Sequence, residues 1–316
     1  MDWKPYYRSE LVTPGVRELL IGYLEEGRDP LIEEGLKRGA IVSFPHTSVH
    51  YSGTLQARLV SSLYRWGISR IIALGVLHGI GIPAFRRARD GDLSADERKG
   101  AFEEIKGGFV PEGDRFETPF GGYPTWIPEA WNGSIRIDRF GLLSSEFSLD
   151  TFVSILRLGA DLFKRRPIPI LPLFIGMTRE PVSRDFSVAS KLASFLRRIV
   201  GPDVAVVTTG DLVHYGTAYA SPGEEVGEDG PLLEERFKGM VIRMLEAGLV
   251  RGDDEEAYRI STDGLKSDQR EVLPVIAAYL KRRGAYRILH FELSDYAGIL
   301  SVDRPCRVGS ALLIYG

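Results

Sequence analysis

The chain has 316 residues, 44% of them hydrophobic, and a formal net charge of −3. That length and apolar share allow a large core, and the slight negative charge leaves no electrostatic footprint for nucleic acid or an anionic membrane. A single cysteine, Cys306, excludes an internal disulfide and a thiolate zinc cage. The apolar runs are strand-sized, too short to span a bilayer, and the opening Met1-Asp-Trp-Lys-Pro-Tyr-Tyr-Arg8 lacks the apolar centre of a signal peptide. The expectation is a cytoplasmic protein with no nucleic-acid or membrane partner, working on a small molecule.

In chain order, residues 14–26 carry helical periodicity through Val16, Leu19, Leu20, Tyr23 and Leu24, with Pro14 early and Gly27 just beyond. A buried-type strand over 39–44 leads into a loop at 45–53. A helix follows over 54–66, ended by Gly67, and then a second continuous apolar strand over 70–77. This is a βαβ unit, for which a right-handed crossover is expected. Residues 79–135 break the rhythm, rich in Gly, Pro and charge, with one short helix expected at 95–105. Irregular insertions of this length are usually functional or mobile. Alternation then resumes: helix 149–163, strand 168–175, helix 185–200 and strand 204–209. Past a Gly/Glu-rich loop at 222–230 come helices at 232–247, 255–260 and 271–283, then strands at 286–293 and 307–315. Basic clusters such as Lys164-Arg165-Arg166 and Lys281-Arg282-Arg283 sit beside helical patterns and read as solvated faces. With no internal repeat or linker, the pattern predicts one α/β domain, its mostly parallel or mixed sheet covered by helices on both faces.

The chemistry concentrates at strand ends. Four of five histidines, His46, His50, His78 and His214, fall where strands run into turns. In an open α/β sheet the carboxyl ends of strands line the ligand crevice. Imidazole is both the commonest metal ligand and the group titrating nearest neutrality. His46 and His50 share the segment Phe44-Pro-His-Thr-Ser-Val-His-Tyr-Ser-Gly53, and His78 lies between glycines in Gly75-Val-Leu-His-Gly-Ile-Gly81, where small neighbours leave room for a ligand. Thr208-Thr-Gly-Asp-Leu-Val-His-Tyr-Gly216 offers Asp211 and His214, and Ser267-Asp-Gln-Arg-Glu-Val-Leu-Pro274 offers Glu271 at the start of an apolar helix. There the macrodipole favours an ionised carboxylate. Two imidazoles and one carboxylate form the set used by non-haem Fe(II) oxygenases. His46, His78 and Glu271 make such a set, with His214 as acid–base residue. Plainer readings stand beside these. His46 or His78 could be a structural hydrogen-bonded histidine, Glu271 a helix-start carboxylate, and Asp211 an Asx-turn residue. His290 lies mid-strand and reads as structural.

Taken together, these segments resemble the Memo family and its relatives, the class III extradiol ring-cleavage dioxygenases, along nearly the whole chain. Pro45-His-Thr-Ser-Val-His-Tyr-Ser-Gly53 is similar to the family's Pro-His-Ala-Gly-Tyr-x-Tyr-x-Gly, and Leu74-Gly-Val-Leu-His78 to its Leu-Gly-x-x-His. Glu117-Thr-Pro-Phe-Gly121, Glu146-Phe-Ser-Leu-Asp150 and Gly210-Asp-Leu-Val-His-Tyr-Gly216 match Thr-Pro-Leu-Gly, Glu-His-Ser-Leu-Glu and Ser-Asp-Leu-Ser-His-Tyr-Gly. Ser294-Asp-Tyr296 and Val308-Gly-Ser310 echo the closing strands. The departures are His78-Gly79 where Memo carries His-His, Phe147 in place of a histidine, and no cysteine before the late helix. That last segment instead resembles the Pro-Glu-His-Phe-Leu-Pro stretch of DOPA-dioxygenase-like enzymes, whose glutamate ligates iron.

The resemblance implies an Fe(II)-dependent extradiol dioxygenase acting on a catechol-like or other chelating small molecule with O₂. His46, His78 and Glu271 would be ligands, with zinc or another divalent metal as the alternative ion. It further implies that His214 takes and returns a substrate proton and that Asp211 orients His214 or its loop. His50 reads as structural or as lining the pocket, and Tyr215 as a pocket residue. A homodimer is also expected. The insertion's aromatics, Phe109, Phe116, Phe120, Tyr123, Trp126 and Trp131, would either cover an aromatic substrate or pack onto the body or a dimer partner. Competing readings are a non-catalytic Memo-like metal- or peptide-binding protein and a zinc-dependent hydrolase.

Overall fold

The structure, a computed structural model, describes residues 3–79, 81–128, 133–139, 141–221 and 230–316. Trp131 and nearly all of the 222–230 loop lie outside the described residues. The strands are β1 (Ile41–Phe44), β2 (Arg70–Val76), β3 (Gly108–Pro111), β4 (Arg115–Thr118), β5 (Gly121–Pro124) and β6 (Ile135–Asp138). They continue with β7 (Ile170–Ile175), β8 (Val204–Thr209), β9 (Val213–Gly216), β10 (Tyr286–Asp295) and β11 (Cys306–Tyr315). Nine of them form one mixed sheet in the order β10-β11-β1-β8-β2-β7-β3-β6, with β9 on β11, while β4 and β5 form a separate hairpin.

At the centre, β1, β8, β2 and β7 are mutually parallel, in registers such as Val42↔Val207, Ile71↔Ala205 and Leu74↔Leu173. Side chains alternate between the faces of a strand. Every residue of β1, β7 and β8 is nevertheless buried, and all but Arg70 of β2, so this part of the sheet is covered on both sides. That is why these strands are continuous apolar runs. The flanking pairs β1–β11, β10–β11, β11–β9 and β3–β7 are antiparallel.

The helix Val49–Trp66 connects β1 to β2 and ends at Gly67, whose φ of 77° supplies the left-handed cap. It begins five residues before the periodicity that predicts it, because the loop after β1 is only Pro45–Ser48 long. Two elements are not anticipated from sequence. The first helix, Trp3–Leu11, buries only Tyr7 and Leu11; Pro30–Lys37 is capped by the Asp29 side chain. Glu10 accepts hydrogen bonds from Ser48 Oγ and, at 3.1 Å, from Val49 N, so the first helix is tied to the start of Val49–Trp66.

The region expected to be irregular is largely ordered. Helices Pro83–Arg89 and Ala95–Ile105 precede β3, which joins the main sheet beside β7. Ser94 and Glu97 form a reciprocal capping box that starts the second helix. Phe109 and Tyr123 are buried, Phe116, Phe120 and Trp126 pack on the main core, and Trp126 Nε1 donates to Ile71 O at 3.0 Å. These aromatics pack the insertion onto the body. No described helix is long and apolar enough to cross a membrane.

Candidate metal centre

The parallel strands place their carboxyl ends side by side, and the spatial order β1-β8-β2 sets the site. His46 follows β1, Asp211 follows β8 and His78 follows β2, so three polar residues from remote segments become neighbours. His214 enters from β9, and Asp268 from a one-turn 3₁₀ segment, Asp268–Arg270, that precedes the helix Leu273–Tyr279. That turn is docked on the end of β8. Asp268 N donates to Asp211 O at 3.0 Å, Ser267 Oγ donates to the same oxygen, and Gln269 Nε2 donates to Ser43 Oγ on β1.

The imidazoles converge through Nε2. The Nε2 atoms of His46 and His78 are 3.2 Å apart. Asp268 Oδ2 lies 3.3 Å from His46 Nε2, 3.6 Å from His78 Nε2 and 3.8 Å from His214 Nε2. Asp211 Oδ2 is 3.7 Å from His46 Nε2. Two overlapping groups, His46–His78–Asp268 and Asp211–His214–Asp268, have ligand atoms close enough to share an ion.

Every Nδ1 is engaged elsewhere. His78 Nδ1 faces Glu146 Oε1 at 3.0 Å, and the same carboxylate accepts from the backbone N–H of His78, Phe147 and Ser148. His214 Nδ1 faces the Lys266 carbonyl at 2.8 Å, which can only accept. His46 Nδ1 lies 3.2 Å from Thr209 Oγ1, whose own hydrogen goes to Phe44 O. With a hydrogen on each Nδ1, each Nε2 presents a lone pair to the same small volume, and the buried Asp268 Oδ2 there has no hydrogen-bond partner. Lone pairs and a carboxylate oxygen facing one another repel unless a cation sits between them. Outer hydrogen bonds of this kind fix the tautomer of metal-ligating histidine. The donor set therefore fits a divalent metal.

The titration behaviour follows from the same arrangement. Burial works to lower the His78 imidazole, but the Glu146 and Asp268 carboxylates overcome it and push it up to about 10. Asp268 is held well below the usual carboxylate range: burial opposes this, and the charges of His214 and His78 with the His46 contact outweigh it. Asp211 is raised, chiefly by burial, with the neighbouring Asp268 adding to the effect and His46 opposing it. Without a metal, the proton on the His78 imidazole is the cation available.

The cluster opens into a cavity of about 240 Å³. One side is a stack of rings: Phe147 lies on His78 at 4.4 Å and 15°, Tyr7 on Phe147 at 5.2 Å, and Trp3 on Tyr7 at 5.7 Å. Tyr219, Lys266 and Arg270 are among the other lining residues. Cavities of about 150 Å³ hold a benzene ring, so this one has room for a substituted ring.

Of the residues expected at the site, His46, His78, Asp211 and His214 are brought together. Glu271 is not. Its Oε2 accepts from Thr178 N at 2.8 Å, and its Oε1 faces Arg89 and Tyr258 Oη at 3.2 and 3.0 Å. It holds the segment after β7 to the later helices, one strand farther along the sheet, and the carboxylate beside the histidines is Asp268. His50 is exposed on the helix Val49–Trp66, and Tyr215 points away from the cavity onto Phe237, since neighbours on β9 face opposite ways. Gly79 does not make room for a ligand. Its φ is +73°, and a Cβ there would meet Phe85 at 2.5 Å. His290 lies on β10, 3.4 Å from Glu292. Cys306 is buried in β11, away from the cluster.

No family model matches the sequence, and no curated protein matches it. Among solved structures the chain is similar to an uncharacterized protein, JW3007, from Escherichia coli K12. The TM-score is 0.43 and the identity 13%, over 88% of this chain and 99% of that one.

Proposed function

We propose that this chain is a non-haem Fe(II) dioxygenase of the extradiol type, in which His46, His78 and Asp268 hold the ion and His214 moves the proton. The observation that carries the reading is the unpartnered Asp268 Oδ2 facing imidazole nitrogens whose other ring positions are hydrogen-bonded away. Two imidazoles with one carboxylate form the facial set of Fe(II) oxygenases, and a carboxylate suits that ion better than the thiolate of Memo-like sites would. When bound, Fe(II) supplies open positions for a chelating diol and for O₂.

The protein's part is positioning and proton transfer. His214 Nδ1–H is held by the Lys266 carbonyl, leaving Nε2 free to take a proton from a substrate hydroxyl and to return it once the ring opens. Asp211 stands against His46 and close to His214 and Asp268, so its charge stabilises the imidazolium that forms. Phe147 and Tyr7 wall off water and offer ring faces to a flat substrate. Protein loaded with Fe(II) under argon and then given catechol and air should consume O₂ and form a coloured ring-opened product. Absence of O₂ uptake across a panel of vicinal diols would end the proposal.

A second reading has one observation in its favour. His214 Nε2 is barely farther from Asp268 Oδ2 than His78 Nε2 is, and three imidazoles with a carboxylate suit zinc and a water nucleophile. Purified protein that carries zinc, ignores Fe(II) and hydrolyses esters would select it.

A further inference from the structure

His214 is gripped from one short stretch of chain. Its backbone N–H donates to Leu265 O at 2.9 Å, and its Nδ1–H to the next carbonyl, that of Lys266, at 2.8 Å. In the turn that brings both carbonyls to His214, Lys266 takes a left-handed backbone conformation, with φ +51°. Residues other than glycine adopt that conformation at a cost and keep it only where their surroundings impose it.

The Lys266 side chain supplies part of that restraint. A lysine usually carries its ammonium out into water. Here the side chain is half-buried at the cavity, and Nζ donates to the carbonyls of Tyr219 and, at 2.6 Å, of Ala220. Ala220 is itself left-handed, at φ +53°. Both carbonyls belong to the turn that follows β9, the strand carrying His214. The same turn lays the Tyr219 ring against the His214 imidazole, 4.9 Å between centroids and tilted by 55°. One residue thus restrains the imidazole twice, at Nδ1 through its carbonyl and across the ring through the tyrosine that its ammonium ties down.

We propose that Lys266 is a positioning residue for proton transfer, whose ammonium and carbonyl together keep the lone pair of His214 Nε2 aimed at the substrate hydroxyl. The proton passes between that hydroxyl and Nε2; Lys266 fixes the line between them. The role in proton transfer rests on the oxygenase reading, whereas the grip on the ring stands on the contacts themselves.

The experiment follows the His214 Nδ1–H proton by nuclear magnetic resonance in zinc-loaded protein with isotope-labelled histidine, His214→Gln assigning the signal. Catechol kinetics of the Fe(II)-loaded protein run beside it. In the wild type the proton should exchange slowly with water. Lys266→Met keeps the stem and removes the charge. It should speed exchange about tenfold or more and lower kcat about tenfold to a hundredfold, with KM within about twofold and metal content unchanged. Lys266→Arg should restore most of both. Lys266→Gly guards against misfolding, since glycine takes a positive φ freely; it should show the losses of the methionine variant in a stable protein. Wild-type exchange and kcat in the glycine variant would assign the effect to the backbone and overturn the proposal. So would fast exchange in the wild type, a methionine variant that keeps the slow proton, or loss of metal from either variant. Exchange that depends on Lys266, without O₂ uptake on any diol, would sink the oxygenase reading and leave the grip standing. A lowered kcat with wild-type exchange would do the reverse.

Discussion

Asp268 and Glu271 lie three positions apart, and the separation decides which carboxylate does chemistry. Asp268 Oδ2 is buried without a partner, whereas Glu271 spends both oxygens on Thr178, Arg89 and Tyr258. Asp268→Asn should therefore lower metal affinity more than tenfold while leaving the fold intact, since even outer-shell losses cost about 10–100-fold. Glu271→Gln should keep the metal and instead cost about 1–3 kcal/mol of stability, the penalty for weakening buried hydrogen bonds. Metal analysis by mass spectrometry and a denaturant titration of each variant separate the two roles. His78 gives a pH signature. Its folded value of about 10 lies above the ordinary 6.5. A raised imidazole stabilises the metal-free protein fully below pH 6.5 and loses that contribution as pH climbs towards 10. Metal-free wild type should therefore lose stability across that window, and His78→Gln should lose markedly less. Metal loading at neutral pH should also release a proton, seen as titration heats that vary with buffer ionisation enthalpy.

At the level of elements, the outer support of the site is as testable as its ligands. Glu146 closes on both the backbone and the ring of His78 from the turn before the helix Asp150–Leu162. Glu146→Gln should weaken metal binding about 10–100-fold, measured by competition with a chelator. Gly79→Ala should cost about 1–3 kcal/mol, because it combines a positive φ with a clash against Phe85; a melting temperature unchanged from wild type would refute the tight approach. The strands that carry the ligands were legible from sequence because a parallel strand covered on both faces must be a continuous apolar run, as in Ile71-Ile-Ala-Leu-Gly-Val76. His46, His78 and Asp211 were legible for the same reason, being the polar residues where such runs stop, and His214 because it follows three positions after Asp211. Asp268 was not. A 3₁₀ turn ahead of Leu273 carries no periodicity, so the sequence pattern starts the helix at Glu271 and assigns that carboxylate the role. β3 and β6 leave no sequence signal, because four residues in a polar stretch show no pattern. The Trp3–Leu11 helix escaped because only Tyr7 and Leu11 are buried.

Across the whole molecule, the candidate ligands derive from chain positions as distant as His46 and Asp268, and they meet only once β1, β8 and β2 are paired. An ion that binds the folded state alone stabilises it by mass action, about 2.7 kcal/mol when free metal is a hundredfold above its Kd. Thermal unfolding should thus shift upward by several degrees on adding Fe(II) under argon and return on adding a chelator. An unmoved transition would show that the cluster does not bind the ion.

The first helix has a practical bearing on all such measurements. It reaches the cavity with Trp3 and Tyr7 and is pinned by Arg8 on Asp150 at 2.7 Å and by Glu10 on the start of Val49–Trp66. Deleting this helix would strip Trp3 and Tyr7 from the cavity wall while sparing every candidate ligand, so a shortened protein should still take up the ion.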